Sequence, residues 1–131
     1  MIEIQDIIET LVTELSKSGL KAYDNEPPFD QPSPWILVVD ENNQTSYTEY
    51  LKDSGGDVDN DISKTVVIRI VKLKELGMKE LRVDAKKVFN LLHKKNFSIG
   101  NSNIYVHILS KRDFSIDRWN VQEQLYYIIG S

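Results

Sequence analysis

Apolar and polar positions follow two periods along this chain, and together they predict two helices and several strands. Residues 3–17 and 78–95 place apolar side chains at helical spacing, so each range is predicted to form an amphipathic helix. Gly19 follows the first helix, where a residue without a side chain adopts positive φ at no steric cost. The residues expected to be fully buried are Ile8, Leu11, Ile68, Ile70, Val88 and Leu92.

Short apolar runs and period-two alternation predict strands at residues 20–23, 35–39, 64–74, 104–109 and 119–129, with a turn at Gly100-Asn101-Ser102. The run Trp35–Val39 is apolar throughout, as is typical of a strand buried on both faces. The predicted order is α-β-β-β-α-β-β. We therefore expect one α+β domain over residues 1–131, in which a mixed or antiparallel sheet of four to five strands packs against two helices.

Two polar segments interrupt this pattern. All four prolines lie between Pro27 and Pro34, which predicts a stiff connector. Residues 40–61 hold seven acidic residues and one lysine, and they are predicted to form a long acidic loop. A loop of this length in a compact domain is often functional.

Charge is unevenly distributed. The chain carries −4 overall, yet residues 62–131 hold thirteen basic residues and six acidic ones. An acidic part and a basic part can attract copies of the same chain at complementary surfaces. Solvation of both sets of charges is the alternative, because such asymmetry is common. An acidic chain is unsuited to gripping nucleic acid as its main task.

The residues that carry chemistry form no catalytic or cofactor-binding signature. The chain has no cysteine, which excludes thiol catalysis and Cys-ligated metals. Asp57, Asp59 and Asp61 resemble the start of a calcium loop, but Ile62 and Ile68 stand where an EF-hand needs Gly and Glu. His93 and His107 have no ligand partner at local spacing. We expect no enzyme activity, no cofactor and no metal.

One face of the second predicted helix is basic, and it includes Lys79, Arg82 and Lys86. Three interpretations stay open for it: contact with nucleic acid phosphates, docking against the acidic loop of a neighbouring subunit, and an ordinary solvent-exposed face. Aromatic residues are enriched at the centres of interfaces. The interface candidates are therefore Tyr47, Tyr50, Leu51, Asp57, Asp59 and Asp61 in the acidic loop, Lys79, Arg82 and Lys86 on the helix, and Tyr126 in the last strand.

The first residues are acidic where a signal peptide would be basic, and no apolar stretch reaches the roughly 20 residues of a membrane span. A cytoplasmic protein that does not contact membranes is the expectation.

The order of elements and several local patterns resemble the tail-terminator (tail-completion) proteins of long-tailed bacteriophages and prophages. The resemblance spans nearly the whole chain. It is carried by the N-terminal helix from Ile4 to Leu15, the segment Lys21-Ala22-Tyr23-Asp24 before the prolines, the strand Trp35–Val39, the run from Lys64 to Val71, the helix Met78–Lys95, and two closing strands joined by Lys111-Arg112-Asp113.

This resemblance implies a structural protein of the virion rather than an enzyme. It implies a homo-oligomeric ring, usually of six copies, that caps the finished tail tube, stops its polymerisation and contacts the head-completion protein. It also implies assembly in the host cytoplasm, followed by residence at the head–tail joint without sequence-specific contact to nucleic acid. The alternative is a small cytoplasmic adaptor or regulatory protein-binding module without enzymatic activity.

Overall fold

Two helices and six strands make up the described part of this protein. The computed structural model describes residues 3–24, 35–40 and 62–130. In chain order the elements are helix α1 (Ile4–Lys17), strands β1 (Ala22–Asp24), β2 (Trp35–Asp40) and β3 (Ile62–Leu73), a 3₁₀ turn (Lys74–Leu76), helix α2 (Met78–Leu92), and strands β4 (Lys95–Ile99), β5 (Ser102–Ile116) and β6 (Trp119–Gly130).

The six strands form one curled sheet, a half-barrel, in the order β1-β2-β3-β6-β5-β4. Strand β1 runs parallel to β2, and all other neighbours are antiparallel, so the sheet is mixed. The predicted α+β class and the packing of two helices on a mixed sheet are confirmed. The order is α-β-β-β-α-β-β-β, because β4 adds one strand that the hydrophobic pattern did not predict.

Both helices pack on the same face of the sheet and share one hydrophobic core. α1 contributes Ile7, Ile8, Leu11 and Leu15, and α2 contributes Leu81, Ala85, Val88 and Leu92. These side chains meet sheet residues that alternate along each strand, among them Ile36, Val38, Val66, Ile68, Ile70, Ile104, Val106, Tyr126 and Ile128. All six positions predicted to be buried from the sequence lie in this core. The strand at 35–39 is fully buried on one face only, since Leu37 and Val39 are half-buried.

The ends of α1 follow from its sequence. The backbone N–H of Glu3 donates to Asp6 Oδ2 at 3.0 Å, which satisfies a donor before the first turn. At the other end Gly19 adopts φ +87°, and the N–H groups of Gly19 and Leu20 donate to the carbonyls of Ser16 and Leu15. This is a Schellman motif, so the predicted role of Gly19 as helix terminator is confirmed.

Helix α2 ends earlier than predicted. The helix was expected to continue to Lys95, but it stops at Leu92, and Lys94 adopts φ +59°. This left-handed residue reverses the chain, so that the Lys94 N–H donates to the Val106 carbonyl at 2.8 Å and Lys95 begins β4. The lysine-rich sequence fits the polar face of a helix, so the sequence pattern did not indicate the short edge strand β4.

Strand β5 is more than twice as long as predicted. It was expected to span residues 104–109, but it runs from Ser102 to Ile116 and pairs with β6 from Ile104 to Ile116. The pairing register shifts between Ile108 and Ser110, leaving Leu109 as an extra residue in a β-bulge. Because the bulge breaks the period-two alternation, the sequence pattern predicted a charged connection between strands where the second half of β5 lies. Lys111-Arg112-Asp113 therefore lies within a strand and not between strands.

A partly buried ion pair fixes α2 on the sheet. Lys72 Nζ on β3 lies 2.8 Å from Asp84 Oδ2 on α2, and only about an eighth of each side chain is exposed, 12% and 13% respectively. At such low exposure the pair is screened little by solvent. It holds one side of α2 against β3 and leaves the opposite side of the helix facing β5.

Candidate functional site

A cleft with a basic rim lies between α2 and the second half of β5, and its floor is formed by β6. Its volume is about 490 Å³. The lining residues are Arg82, Ala85, Lys86 and Phe89 from α2, Lys111, Arg112 and Asp113 from β5, and Gln122 and Gln124 from β6. The cleft is open to solvent along the edge of the sheet.

The bulge at Leu109 places the charged residues of β5 in this cleft. Before the bulge Ile108 is opposite Tyr126, and after it Lys111 and Asp113 are opposite Gln124 and Gln122. Paired residues of antiparallel strands point to the same face, so Lys111 and Asp113 share the helix-facing side with the core. If β5 continued in regular register, with Leu109 opposite Leu125, Ser110 and Arg112 would occupy that side instead.

The floor of the cleft is a hydrogen-bonded chain of polar side chains that reaches into the core. The Tyr126 hydroxyl donates to Gln124 Oε1 at 2.6 Å, and Gln124 Nε2 donates to the Ala85 carbonyl at 3.0 Å and to Gln122 Oε1 at 2.8 Å. Gln122 Nε2 in turn donates to Asp113 Oδ1 at 2.7 Å. Burial raises the pKa of Tyr126, so its hydroxyl stays protonated and acts as the donor.

Asp113 connects this chain to the surface. Its second oxygen, Oδ2, accepts from Arg82 Nε at 3.2 Å and from Arg82 Nη2 at 3.1 Å. Asp113 is therefore already engaged by one cation and one amide. Among the described residues neither Lys86 nor Lys111 has a carboxylate within ion-pair distance. The rim consequently has an excess of positive charge that no described acidic residue neutralises.

The cleft also exposes a strand edge. β4 pairs with β5 only from Ser102 to Val106, and beyond this the Ile108 N–H donates to His93 Nδ1 at 3.1 Å. From Leu109 to Ile116, no strand in the described ranges pairs with β5 on this side. About every second residue of an edge strand points its N–H and C=O outward, where they can pair with another chain. What the cleft offers chemically is thus backbone hydrogen bonds beside positive charge, a combination that suits an acidic extended peptide.

The opposite face of the same strands carries a second charged cluster. Glu123 accepts from Arg69 Nε through Oε2 and from Arg112 Nε through Oε1, both at 2.8 Å. Partial burial acts to raise the pKa of Glu123, but the hydrogen bonds and charges of the two arginines outweigh it and hold the pKa below its ordinary value. The Arg112 guanidinium also lies 5.1 Å from the centre of the Phe114 ring. This cluster joins three adjacent strands, β3, β6 and β5.

The two histidines come together at the start of β4, although they are far apart in sequence. The ring centres of His93 and His107 are 4.9 Å apart, and His93 stacks on Phe89 at 4.6 Å. Desolvation, helped by the charges of His107 and Lys94, lowers the pKa of His93. Within the described residues, no group of three or more metal-ligating side chains is present. Local spacing could not have revealed this pair.

The structure places the sequence-predicted interface residues unequally. Lys79, Arg82 and Lys86 are exposed on α2, and Arg82 and Lys86 border the cleft while Lys79 does not. Tyr126 was wrongly chosen as an interface side chain: it is completely buried, because the side of β6 that it shares with Gln124 and Ile128 faces the helices. The remaining candidates, Tyr47, Tyr50, Leu51, Asp57, Asp59 and Asp61, lie outside the described residues, as does the segment of four prolines.

Five polar residues that line the cleft were not identified from the sequence: Lys111, Arg112, Asp113, Gln122 and Gln124. The alternation of Gln122 and Gln124 on one face of β6 was visible. Two glutamines on the same side as Tyr126 and Ile128 are a signal for a buried polar network, since buried amides require partners. The positions of Lys111 and Asp113 in the cleft were not predictable, because the bulge at Leu109 breaks the alternation of β5.

Within the described residues, neither helix is long and apolar enough to cross a membrane. Compared with known protein families and with curated protein sequences, the chain matches no family model and no individual sequence at a significant level.

Proposed function

We propose that this protein is a structural assembly component that works through contacts between copies of itself. Following its resemblance to tail terminators, the product is a ring, six copies in that family, that caps a phage tail tube and presents a surface to the head-completion protein. The observation that carries the proposal is the open, basic cleft beside a strand edge that pairs with no described strand, in a chain whose residues 40–61 are strongly acidic.

The charge distribution supports contact between copies over contact with nucleic acid. The rim cations Lys86 and Lys111 border a concave cleft, and the chain as a whole carries −4. A surface that tracks nucleic acid phosphates needs several exposed cations in a continuous stripe on a chain with basic excess. An acidic chain is also compatible with a ring through which DNA passes without being retained.

Assembly on the tail tube provides the direct test. The full chain is added to polymerising tail-tube subunits, and tube lengths are measured by electron microscopy at several ratios. We expect shorter tubes with extra density at one end, and a species of about 90 kDa in sedimentation velocity, six times the 15.1 kDa chain. Unchanged tube lengths and no density at the tube ends would contradict the proposal.

The second candidate function is a small adaptor or regulatory module that binds an acidic peptide of another protein. The same strand edge favours it, because strand addition to an exposed edge is a common mode of peptide recognition. The oligomeric state distinguishes the two functions. An adaptor stays a monomer or dimer at every concentration and with tubes present, whereas a ring component does not.

A further inference from the structure

We propose that the cleft between α2 and β5 receives the acidic stretch, residues 40–61, of a second copy of this chain, which adds to the exposed edge of β5 as an extra strand. This inference rests on the proposed function in one respect, namely that copies of the chain contact one another. It goes further by assigning the receiving site and the segment that fills it.

The geometry of the edge supports an extended occupant. Leu109–Ile116 of β5 is eight residues long and has no partner on this edge among the described strands, since the pairing with β4 stops at Val106. α2 borders the cleft beside this part of β5 and supplies Arg82 and Lys86 on the same side as Lys111. A strand laid along β5 would therefore have backbone partners on one side, with Lys86 and Lys111 on the helix-facing side.

Pairing of β5 with β5 of another copy is the competing use of this edge. A two-fold axis between antiparallel edges sets one residue opposite its own copy. The register centred on Asp113 sets two carboxylates directly opposite, whereas the register centred on Arg112 sets two guanidinium groups opposite and Lys111 opposite Asp113 on both sides. Self-pairing of this kind does not involve Asp57, Asp59 or Asp61, so a peptide experiment that depends on these three residues distinguishes the two uses of the edge.

The sequence of the acidic stretch has the complementary pattern. Asp57, Asp59 and Asp61 alternate with Val58 and Asn60. In an extended strand, alternate residues share one face, so the three carboxylates would project together toward the cations of the cleft. The described chain stops at Asp40 and resumes at Ile62, and the intervening residues carry this excess of acid. Ile62, which directly follows Asp61, lies level with Ile104 across β6, six residues along the sheet from the level of Lys111. Asp57, Asp59 and Asp61 are too close to Ile62 in sequence to lie along β5 at the cleft of the same chain, because a strand advances only about 3.3 Å per residue. Charge complementarity therefore supports the acidic stretch of a second copy as the occupant.

Binding of a synthetic peptide tests the assignment. The probe is a fluorescein-labelled peptide of residues 49–61, and the receptor is the full chain carrying D57N, D59N and D61N, so that its own stretch does not compete. Fluorescence anisotropy measures the affinity. We expect binding that weakens with salt, and about tenfold loss when K86E and K111E are added to the receptor, since each reversal turns an exposed attraction into a repulsion.

A matched control separates a specific site from general charge. K74E and K79E change the net charge of the receptor by the same amount on exposed residues that do not line the cleft, and we expect less than about twofold loss from them. Equal losses in the two double variants would overturn the assignment, as would equal binding of a peptide with Asn at 57, 59 and 61.

A second experiment tests whether the peptide pairs with β5 through its backbone. One peptide is N-methylated at Asp57, Asp59 and Asp61, and another at Val58 and Asn60. Only one of these sets of N–H groups points toward β5 in an added strand, so one peptide should lose binding and the other keep it. If both peptides bind alike, the stretch is not held as a strand.

Sedimentation velocity distinguishes failure of this inference from failure of the proposed function. If the parent chain assembles, alone or on tail tubes, and the K86E/K111E variant assembles equally well, the cleft is not the contact and the ring proposal stands. If the peptide binds as expected but the chain never assembles, the ring proposal fails and the cleft remains a site for acidic peptides, without a neighbouring copy as its occupant.

Discussion

Removing the Tyr126 hydroxyl should destabilise the protein, because it leaves a buried hydrogen-bond acceptor without its donor. In Y126F the ring still fills the core, but Gln124 Oε1 loses its donor. Gln124 is only 1% exposed, so water cannot replace the missing hydrogen bond. An unsatisfied buried acceptor costs about 1–3 kcal/mol, and we expect a loss of about 1–2 kcal/mol in the free energy of unfolding.

A double-mutant cycle shows whether the cost comes from this contact. Q124M removes the amide while keeping the shape of the side chain, and leaves the Tyr126 hydroxyl and Gln122 Oε1 short of partners, at a cost of about 2–4 kcal/mol. In the Q124M background, Y126F should then cost close to nothing, because the hydroxyl no longer has a partner. The coupling energy between the two sites is therefore expected to be about 1–2 kcal/mol.

Urea unfolding followed by circular dichroism measures all four proteins, with the m-value checked for constancy. Y105F, which removes a hydroxyl from a half-buried residue on the outer face, is the matched control and should lie within about 0.5 kcal/mol of the parent. If Y126F costs no more than this control, or costs the same in both backgrounds, the polar floor of the cleft does not contribute to stability as we describe.

Three further predictions use other parts of the fold. L92A should lose about 2–5 kcal/mol of unfolding free energy in thermal or urea denaturation, while L76A, at an exposed position, stays close to the parent. E123Q should lose about 1–2 kcal/mol, because the amide keeps only one acceptor oxygen, so one of the two arginines loses its hydrogen bond and both lose the opposing charge; no loss at low salt would contradict this. The lowered pKa of His93 means that the unfolded chain binds the proton first, so stability should fall as pH drops below 6.5, and H93Q should flatten this dependence.

The parts of the fold that depend on local pattern were predictable from the sequence. The apolar stripe of α1, its Gly19 terminator and the alternation of β3 and β6 each follow from the positions of a few residues, and the six expected core residues are buried. Those positions determine which face of each element is buried. The prediction succeeded where one period runs through the whole element.

The parts that depend on backbone irregularity were not predictable. Lys94 takes positive φ without being glycine, and Leu109 occupies a bulge without any residue that marks one. Both are set by tertiary pairing with β5 and β6, which the local sequence does not encode. Tyr126 was misplaced for a related reason: both faces of β6 carry aromatic and aliphatic residues, so the pattern alone could not say which face meets the helices. Of these irregularities, the bulge at Leu109 is the one that places Lys111 and Asp113 in the cleft.

The single extra residue at Leu109 makes a deletion at this point unusually well tolerated. Deleting Leu109 would join Ile108 to Ser110, restore strict alternation along β5 and keep Lys111 opposite Gln124 and Asp113 opposite Gln122. Keeping Leu109 but flattening the bulge, with Leu109 opposite Leu125, would exchange the side chains of the second half between the two faces. Arg112 would then leave Glu123, and Asp113 would leave both Arg82 and Gln122. Two charged clusters on opposite faces therefore depend on the register that the bulge sets, and a one-codon deletion of Leu109 preserves that register.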